Sequence, residues 1–180
     1  MTYYGAKDIA AAFRTVRGNT IHIANEIPED QYGFKPSKES RSIGQTLVHI
    51  ALGPGFQYHI HSSKIGDLKL VNFPEMMQKV TAEEAKPRNK AETIAFLKSE
   101  GDKFASFVES LSDSFLAEQV AMPPGATPAT KSRFEMLFSP KEHEMHHRGQ
   151  LMTMQRMIGL EPHLTRQMKE RMAQAMAARK

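Results

Sequence analysis

The sequence contains no cysteine among its 180 residues. Disulfide bonds, cysteine-ligated metals and a cysteine nucleophile are therefore excluded. Any chemistry that needs a thiol would have to obtain it from a low-molecular-weight cofactor. No apolar run approaches the roughly 20 residues that a membrane-spanning helix needs, so we expect no membrane span.

The N-terminal segment lacks the apolar stretch of a secretory signal, because Lys7, Asp8 and Arg14 follow a helical pattern there. We therefore expect a cytoplasmic protein. Basic surface is also scarce. The net charge is +4, and the segment from His163 to the end, with five basic residues and one acidic residue, accounts for all of it. The rest of the chain, residues 1–162, carries no net charge, which argues against a nucleic-acid-binding face.

Apolar residues that recur every three or four positions predict an all-α fold, and no segment has a convincing strand pattern. The length suits one domain with a substantial core. Predicted helices cover about residues 6–26, 42–50, 74–80, 89–111, 131–158 and 165–178. The polar face of the first carries Lys7, Arg14 and Arg17. Residues 66–88, apart from the short helix, and residues 112–131 are expected to be irregular. On the last of these helices Met168, Met172 and Met176 share one side, and we expect them to pack internally or to form a dimer contact.

Two prolines interrupt the predicted helices close to histidines. Pro54, in the Gly-Pro-Gly run at 53–55, cannot donate to the carbonyl of Ile50, so the second helix should kink or break there. Pro140 lies in a run, residues 139–142, that is typical of a helix start. The helix over 131–158 is therefore expected either to kink just before Pro140 or to consist of two abutting helices.

Histidine is concentrated in one short stretch that contains His143, His146 and His147. His143 and His147 are four residues apart and lie on one face of a helix, where two imidazoles can hold one metal ion. Leu151 and Ile158 continue that face as an apolar stripe, so the pair should point inward. His146 replaces His147 in the pair if the helix is rotated by a fraction of a turn.

The string from His143 to His147 also matches the H-E-x-x-H signature of zinc metalloproteases, with Glu144 as general base. We do not favour a protease, because no convincing third ligand follows and no strand could align a substrate. A carboxylate-bridged di-iron bundle needs two Glu-x-x-His copies, and Glu144-x-x-His147 is the only one. An iron site with two histidines and one carboxylate needs an inward acid, which the second helix does not offer beside His49.

A mononuclear three-histidine site that joins His49 to His143 and His147 is the interpretation best supported by the residues. A lone histidine in an apolar run such as that around His49 is usually a core residue, but the histidine pair needs a third ligand. Three imidazoles leave a coordination position open, as in catalytic metal sites. Glu144 is a candidate base or acceptor, and Gln150 is a candidate support for a ligand.

These motifs resemble the DinB-like family (the DinB/YfiT superfamily) of metal-binding four-helix bundles. The resemblance lies in the histidine that ends residues 42–49, in H-x-x-x-H-R-G-Q at 143–150, and in R-x-x-G-x-x-P at 156–162. It covers nearly the whole chain. It implies one domain over 1–180, an up-down-down-up four-helix bundle, here with an additional C-terminal helix, and commonly a homodimer.

The resemblance also implies one divalent ion, often nickel or zinc, with His49, His143 and His147 as its ligands. Family members with known activity include thiol-dependent transferases and isomerases that use bacillithiol or mycothiol. We therefore expect a metal-dependent enzyme that activates water or a low-molecular-weight thiol against a small electrophile. The alternative is a non-catalytic metal-binding, sensor or interaction bundle. His22, His59 and His61 are expected to be structural or surface residues.

Overall fold

The structure is a computed structural model that describes residues 4–178. Within that range the chain forms eight α-helices and one two-stranded antiparallel sheet. In chain order the elements are α1 (Ala6–Glu26), α2 (Ile43–Leu52), α3 (Gly55–Ser62), α4 (Phe73–Glu84), α5 (Lys90–Glu109), α6 (Asp113–Ala117), β1 (Gln119–Ala121), β2 (Thr130–Ser132), α7 (Arg133–Met157) and α8 (His163–Ala177).

Four helical segments form the body of the protein, an up-down-down-up four-helix bundle with an additional C-terminal helix, as predicted. They are α1, the pair α2 and α3, α5, and α7. Both α1 and α2 pack against α5 and α7, and α3 packs against the same two helices. No helix in residues 4–178 is long and apolar enough to cross a membrane.

Side-chain caps fix where two bundle helices begin. Ser42 accepts a hydrogen bond from the backbone N–H of Gln45, whose side chain accepts one from the backbone of Ser42 in return. Asn89 and Glu92 form the same reciprocal pair at the start of α5. These capping boxes satisfy N–H groups that a helix leaves unpaired, so the starts were readable from the sequence.

Helix α7 runs through Pro140 as a single helix from Arg133 to Met157. The prediction of two abutting helices is therefore wrong, while the alternative of a kink stays a prediction. An interior proline removes a hydrogen bond and costs about 3 kcal/mol. Met136, Leu137 and Pro140 itself are all buried. Packing before and at the proline therefore outweighs the local penalty, and the Ser132 cap supplies the true helix start.

Other elements correct the sequence-based prediction. The segment 112–131 was expected to be irregular, but it contains α6 and contributes to the β1–β2 ladder. Each of these strands has three residues, which is too short to show the alternation of polar and apolar residues that marks a strand. Helix α4 was predicted as residues 74–80 and extends to Glu84. It buries none of its residues, so it carries no strong apolar stripe that could have marked its length.

The methionines of α8 do not pack internally. Met168, Met172 and Met176 are 59%, 58% and 69% exposed, and the only buried residue of α8 is His163 at its first position. Internal packing of these methionines was therefore the wrong expectation. A dimer contact through them stays a prediction.

Arg17 is the largest departure from the predicted helix faces, because it was expected on the polar side of α1 and is only 4% exposed. Its Nε lies 3.0 Å from both carboxylate oxygens of Glu144 on α7. Its Nη1 donates to the carbonyl of Leu97 on α5 at 2.6 Å, and its Nη2 donates to the carbonyl of Ile50 on α2 at 3.1 Å. One guanidinium thus joins four helical segments.

Two sequence features make this arrangement possible. Gly101 gives Arg17 room, because a Cβ at position 101 would lie 2.9 Å from Arg17 Cγ. The Ile50 carbonyl is the one that Pro54 cannot serve, and Arg17 supplies a donor to it in addition to the N–H of Gly53 at 3.3 Å. The buried guanidinium therefore also satisfies a backbone carbonyl at the break in the second bundle helix.

We expect Arg17→Met to lower the free energy of unfolding by about 3–5 kcal/mol, because it leaves the Glu144 carboxylate buried without its partner. The double variant Arg17→Met/Glu144→Leu should recover much of that loss. Urea unfolding measures both. Arg14→Met is the matched control, since the Arg14–Glu109 pair is 42% and 43% exposed and should change stability by less than about 1 kcal/mol. Equal effects of the two single substitutions would contradict this role of Arg17.

Candidate metal centre

The structure brings together the three histidines named by the sequence. His49 lies on α2, and His143 and His147 lie on α7. One ring nitrogen from each lies within 4.8 Å of the other two. The distances between ring centroids are 4.9 Å for His49 and His143, 4.7 Å for His49 and His147, and 4.5 Å for His143 and His147.

The Gly-Pro break in the second bundle helix makes space for one of these rings. Helix α2 ends at Leu52 and α3 begins at Gly55, so the predicted break at Pro54 is confirmed. A Cβ at position 53 would lie only 2.7 Å from Nδ1 and 2.9 Å from Cε1 of His143. Glycine is therefore required at position 53 for His143 to occupy its place beside His49.

In two of the histidines, the ring nitrogen Nδ1 lies within hydrogen-bonding distance of an acceptor. His49 Nδ1 lies 2.5 Å from a carboxylate oxygen of Glu84, and His147 Nδ1 lies 2.8 Å from the side-chain oxygen of Gln150. Because both partners accept, the proton of each ring is on Nδ1 and the lone pair is on Nε2. Metal-binding histidines are commonly oriented in this way by a carboxylate or an amide oxygen.

His143 is held differently. Its Nε2 lies 3.0 Å from Nε2 of His49, and its Nδ1 is buried without a hydrogen-bond partner. Since His49 Nε2 carries a lone pair, a proton on His143 Nε2 satisfies this contact when no cation is bound. A metal ion at Nε2 would shift this proton to Nδ1 of the same neutral ring, so binding would change the tautomer of His143 without releasing a proton.

Burial favours the neutral form of the two histidines on α7. Desolvation, together with the neighbouring rings of His147 and His49, lowers the pKa of His143 to about 4. Burial also lowers the pKa of His147, against a smaller opposite effect of the hydrogen bond to Gln150. Neutral imidazoles are the form that binds a metal, so at neutral pH the two rings on α7 are ready to act as ligands.

The donor set fits a divalent transition-metal ion. Nitrogen ligands at about 2.0–2.1 Å from zinc lie roughly 3.4 Å apart in a tetrahedral site, and Nε2 of His49 lies 3.0 Å from Nε2 of His143. Three imidazoles suit zinc, nickel, copper or iron better than magnesium or calcium, which prefer oxygen. Glu84 is engaged with His49 and does not form part of the histidine cluster.

A cavity of about 690 Å³ opens beside His147. Its wall includes Arg41, Thr46, Gln150 and Met154, so it combines polar and apolar groups. The Arg41 guanidinium lies 3.6 Å from Glu84, the acceptor for His49. The cavity thus gives a small molecule a path to His147, and the Arg41 guanidinium places one cation on its wall.

The structure places the remaining candidates outside the cluster. His146 is exposed, and its Nε2 lies 3.2 Å from the side-chain nitrogen of Gln150. Glu144 is 1% exposed, pairs with Arg17, and does not line the cavity. His59 is exposed, while His61 is buried between Gln57 and Arg133.

Sequence reasoning missed Glu84, which is the carboxylate closest to the histidines. It lies 35 positions from His49, in a segment interpreted as mostly loop, and no motif links the two. Gln150 was found because it is three residues from His147 and can share its helix face. His163, which lies near His22 and Glu26 in a second cluster, was also missed.

Comparison with known proteins agrees with this geometry. The DinB family model matches residues 3–177. No curated protein matches the sequence. Among solved structures, the chain is similar to the DinB-like protein YjoA from Bacillus subtilis, with 20% identity, a TM-score of 0.62, and coverage of 84% of this chain and 92% of YjoA.

YfiT from Bacillus subtilis is similar at 10% identity, with a TM-score of 0.66 and coverage of 89% of this chain and 91% of YfiT. YfiT is described as a probable metal-dependent hydrolase with an unusual four-helix bundle topology. At such identities these likenesses show a shared fold. Because the family model spans almost the entire sequence, the chain belongs to the DinB family.

Proposed function

We propose that the protein is a metal-dependent enzyme in which His49, His143 and His147 hold one divalent ion, zinc or nickel, at the end of a solvent-accessible cavity. The observation that carries this proposal is the convergence of the three rings, with Glu84 and Gln150 directing two of the lone pairs toward the centre. The description of YfiT as a probable metal-dependent hydrolase supports the same class.

When bound, such an ion supplies Lewis acidity that lowers the pKa of a water or a thiol that reaches it. The protein's own residues would hold the ion in place and set the polarity of the cavity beside it. His49, His143 and His147, bound as imidazoles, would leave the full charge of the ion in place and at least one coordination position open. Since the chain has no cysteine, a thiol would come from a low-molecular-weight cofactor.

The cavity wall favours a small polar substrate over a polymer. Arg41 and Gln150 offer hydrogen-bond donors on the same cavity wall as His147, while Met154 gives an apolar contact. An electrophile with a carbonyl, ester or carboxylate group fits these donors. We therefore propose either hydrolysis or transfer of a thiol to such a substrate.

A non-catalytic metal-binding or sensor bundle is the second candidate. The exposed methionine side of α8 is the observation that favours it, because that surface is open to a partner in the described chain. The two proposals share the metal centre and differ in turnover.

Purified protein loaded with Zn²⁺ or Ni²⁺ should bind one ion at this centre, and His147→Ala should weaken that binding by about 100-fold or more, since even loss of an outer partner costs 10–100-fold. Isothermal titration measures the affinity. His146→Ala is the matched control, because it removes the neighbouring imidazole outside the cluster. Binding that survives His147→Ala and is lost in His146→Ala would overturn the ligand set.

Gly53→Ala should reduce metal affinity by about tenfold or more, because the added methyl group meets the His143 ring at 2.7 Å and displaces it. Gly55→Ala is the control, since nothing lies within 4 Å of a Cβ there. Circular dichroism should show that both variants stay folded. Unchanged affinity in Gly53→Ala would mean that His143 is not held where the structure has it.

Turnover distinguishes the enzyme from the sensor. The metal-loaded protein should hydrolyse an activated ester or consume a thiol in the presence of an electrophile, and chelation or His147→Ala should abolish that activity. A reaction that needs the thiol indicates a transferase, and one that proceeds without it indicates a hydrolase. Absence of both reactions in fully loaded protein would favour the non-catalytic bundle.

A further inference from the structure

A second group of metal-binding side chains lies where α8 meets α1, away from the three-histidine centre. It contains His22 and Glu26 of α1 and His163 of α8, and one ligand atom from each lies within 4.8 Å of the other two. His22 and Glu26 are four residues apart on one helix face, the same spacing as His143 and His147. The rings of His22 and His163 have centroids 4.1 Å apart.

His163 has an unused nitrogen in this cluster. The residue is only 3% exposed, and its Nε2 lies 3.2 Å from the side-chain oxygen of Asn19. That acceptor places the ring proton on Nε2, so Nδ1 carries a lone pair. Nδ1 is buried and has no hydrogen-bond partner.

Such orphaned atoms are rare in this protein. Among residues 4–178, three buried side-chain nitrogen or oxygen atoms have no partner: one in His143, one in His163 and one in Gln155. The first belongs to the candidate metal centre. Gln155 is fully buried, and its side-chain nitrogen lies 3.5 Å from Glu26 Oε2. The other two orphaned atoms therefore lie in residues that belong to the second cluster or contact it, and a bound ion or water would satisfy such buried acceptors.

His22 and Glu26 share a hydrogen-bonded proton that a cation could replace. His22 Nε2 lies 3.1 Å from Glu26 Oε1, and this carboxylate also accepts from Arg166 of α8. Arg166 is 41% exposed, so it can turn into solvent when a cation takes its place. His22 is 51% exposed, which leaves the cluster accessible to an ion and to water.

We propose that His22, Glu26 and His163 form a second divalent-cation site that fastens α8 to the bundle. Two imidazoles and one carboxylate select a borderline transition ion such as Zn²⁺, Ni²⁺ or Co²⁺ over Mg²⁺ or Ca²⁺. Because His163 is the only buried residue of α8, an ion here would fix the helix at its first turn. This site is independent of the proposed enzyme function.

Zn²⁺ titration of the full chain tests the proposal. Wild-type protein should bind two ions, His147→Ala one, and His22→Ala one. His22 is exposed, so its replacement should leave the fold intact, which circular dichroism checks. His59→Ala, which removes another exposed histidine, is the matched control and should still bind two. A loss of one ion in His147→Ala with no loss in His22→Ala would overturn this second site and leave the first standing.

Arg166→Gln should strengthen Zn²⁺ binding at the second site, whereas His22→Ala should abolish it. Removal of the competing cation should tighten binding of the second ion by up to about thirtyfold, because a unit charge about 4 Å from a divalent ion costs roughly 2 kcal/mol in a watery environment. A purely structural ion pair between Arg166 and Glu26 predicts lower stability and no gain in affinity. Unchanged or weaker Zn²⁺ binding in Arg166→Gln would contradict the proposal.

Discussion

The buried Arg17–Glu144 pair is the interaction on which the candidate metal centre depends. Glu144 follows His143 directly, and Ile50, whose carbonyl accepts from Arg17, follows His49 directly. One guanidinium therefore fixes both helices that carry the three histidines, at positions adjacent to two of them. A charge removed from water is stable only when it is paired and its donors are used, so this pair restrains the rotation of α7 against α2. The carboxylate in the H-E-x-x-H string has this positioning role in the structure.

The proline in the second bundle helix sets the shape of the same region. Pro54 removes a donor from the Ile50 carbonyl, and Arg17 replaces it. The preceding Gly53 leaves the volume that the His143 ring occupies. A local break in a helix, a buried charge and a metal-binding ring are thus parts of one arrangement. Pro140 has no comparable effect on the helix run, because α7 continues through it.

Helical periodicity predicted the helices, and spacing within one helix paired His143 with His147. The bundle topology came from the resemblance to the DinB-like family, and His49 was added because the histidine pair needs a third ligand. The apolar stripe that continues through Leu151 identified His147, and not His146, as the predicted partner of His143. Two kinds of contact were not predictable. Glu84 reaches His49 from an exposed helix with no buried face, and His163 meets His22 across 141 positions. Arg17 was misplaced because a charged residue in an amphipathic pattern is ordinarily solvated, and only its partner on α7 makes burial possible.

The central claim is that three histidines hold one ion and leave a position open to the cavity. A crystal structure of the zinc- or nickel-loaded protein, with anomalous data collected at the metal edge, tests it most directly. The account predicts a peak about 2.1 Å from Nε2 of His49, His143 and His147, with Glu84 still bonded to His49 and a non-protein ligand facing the cavity. A peak bound by His146, or a centre closed by Glu84 as a fourth protein ligand, would contradict it.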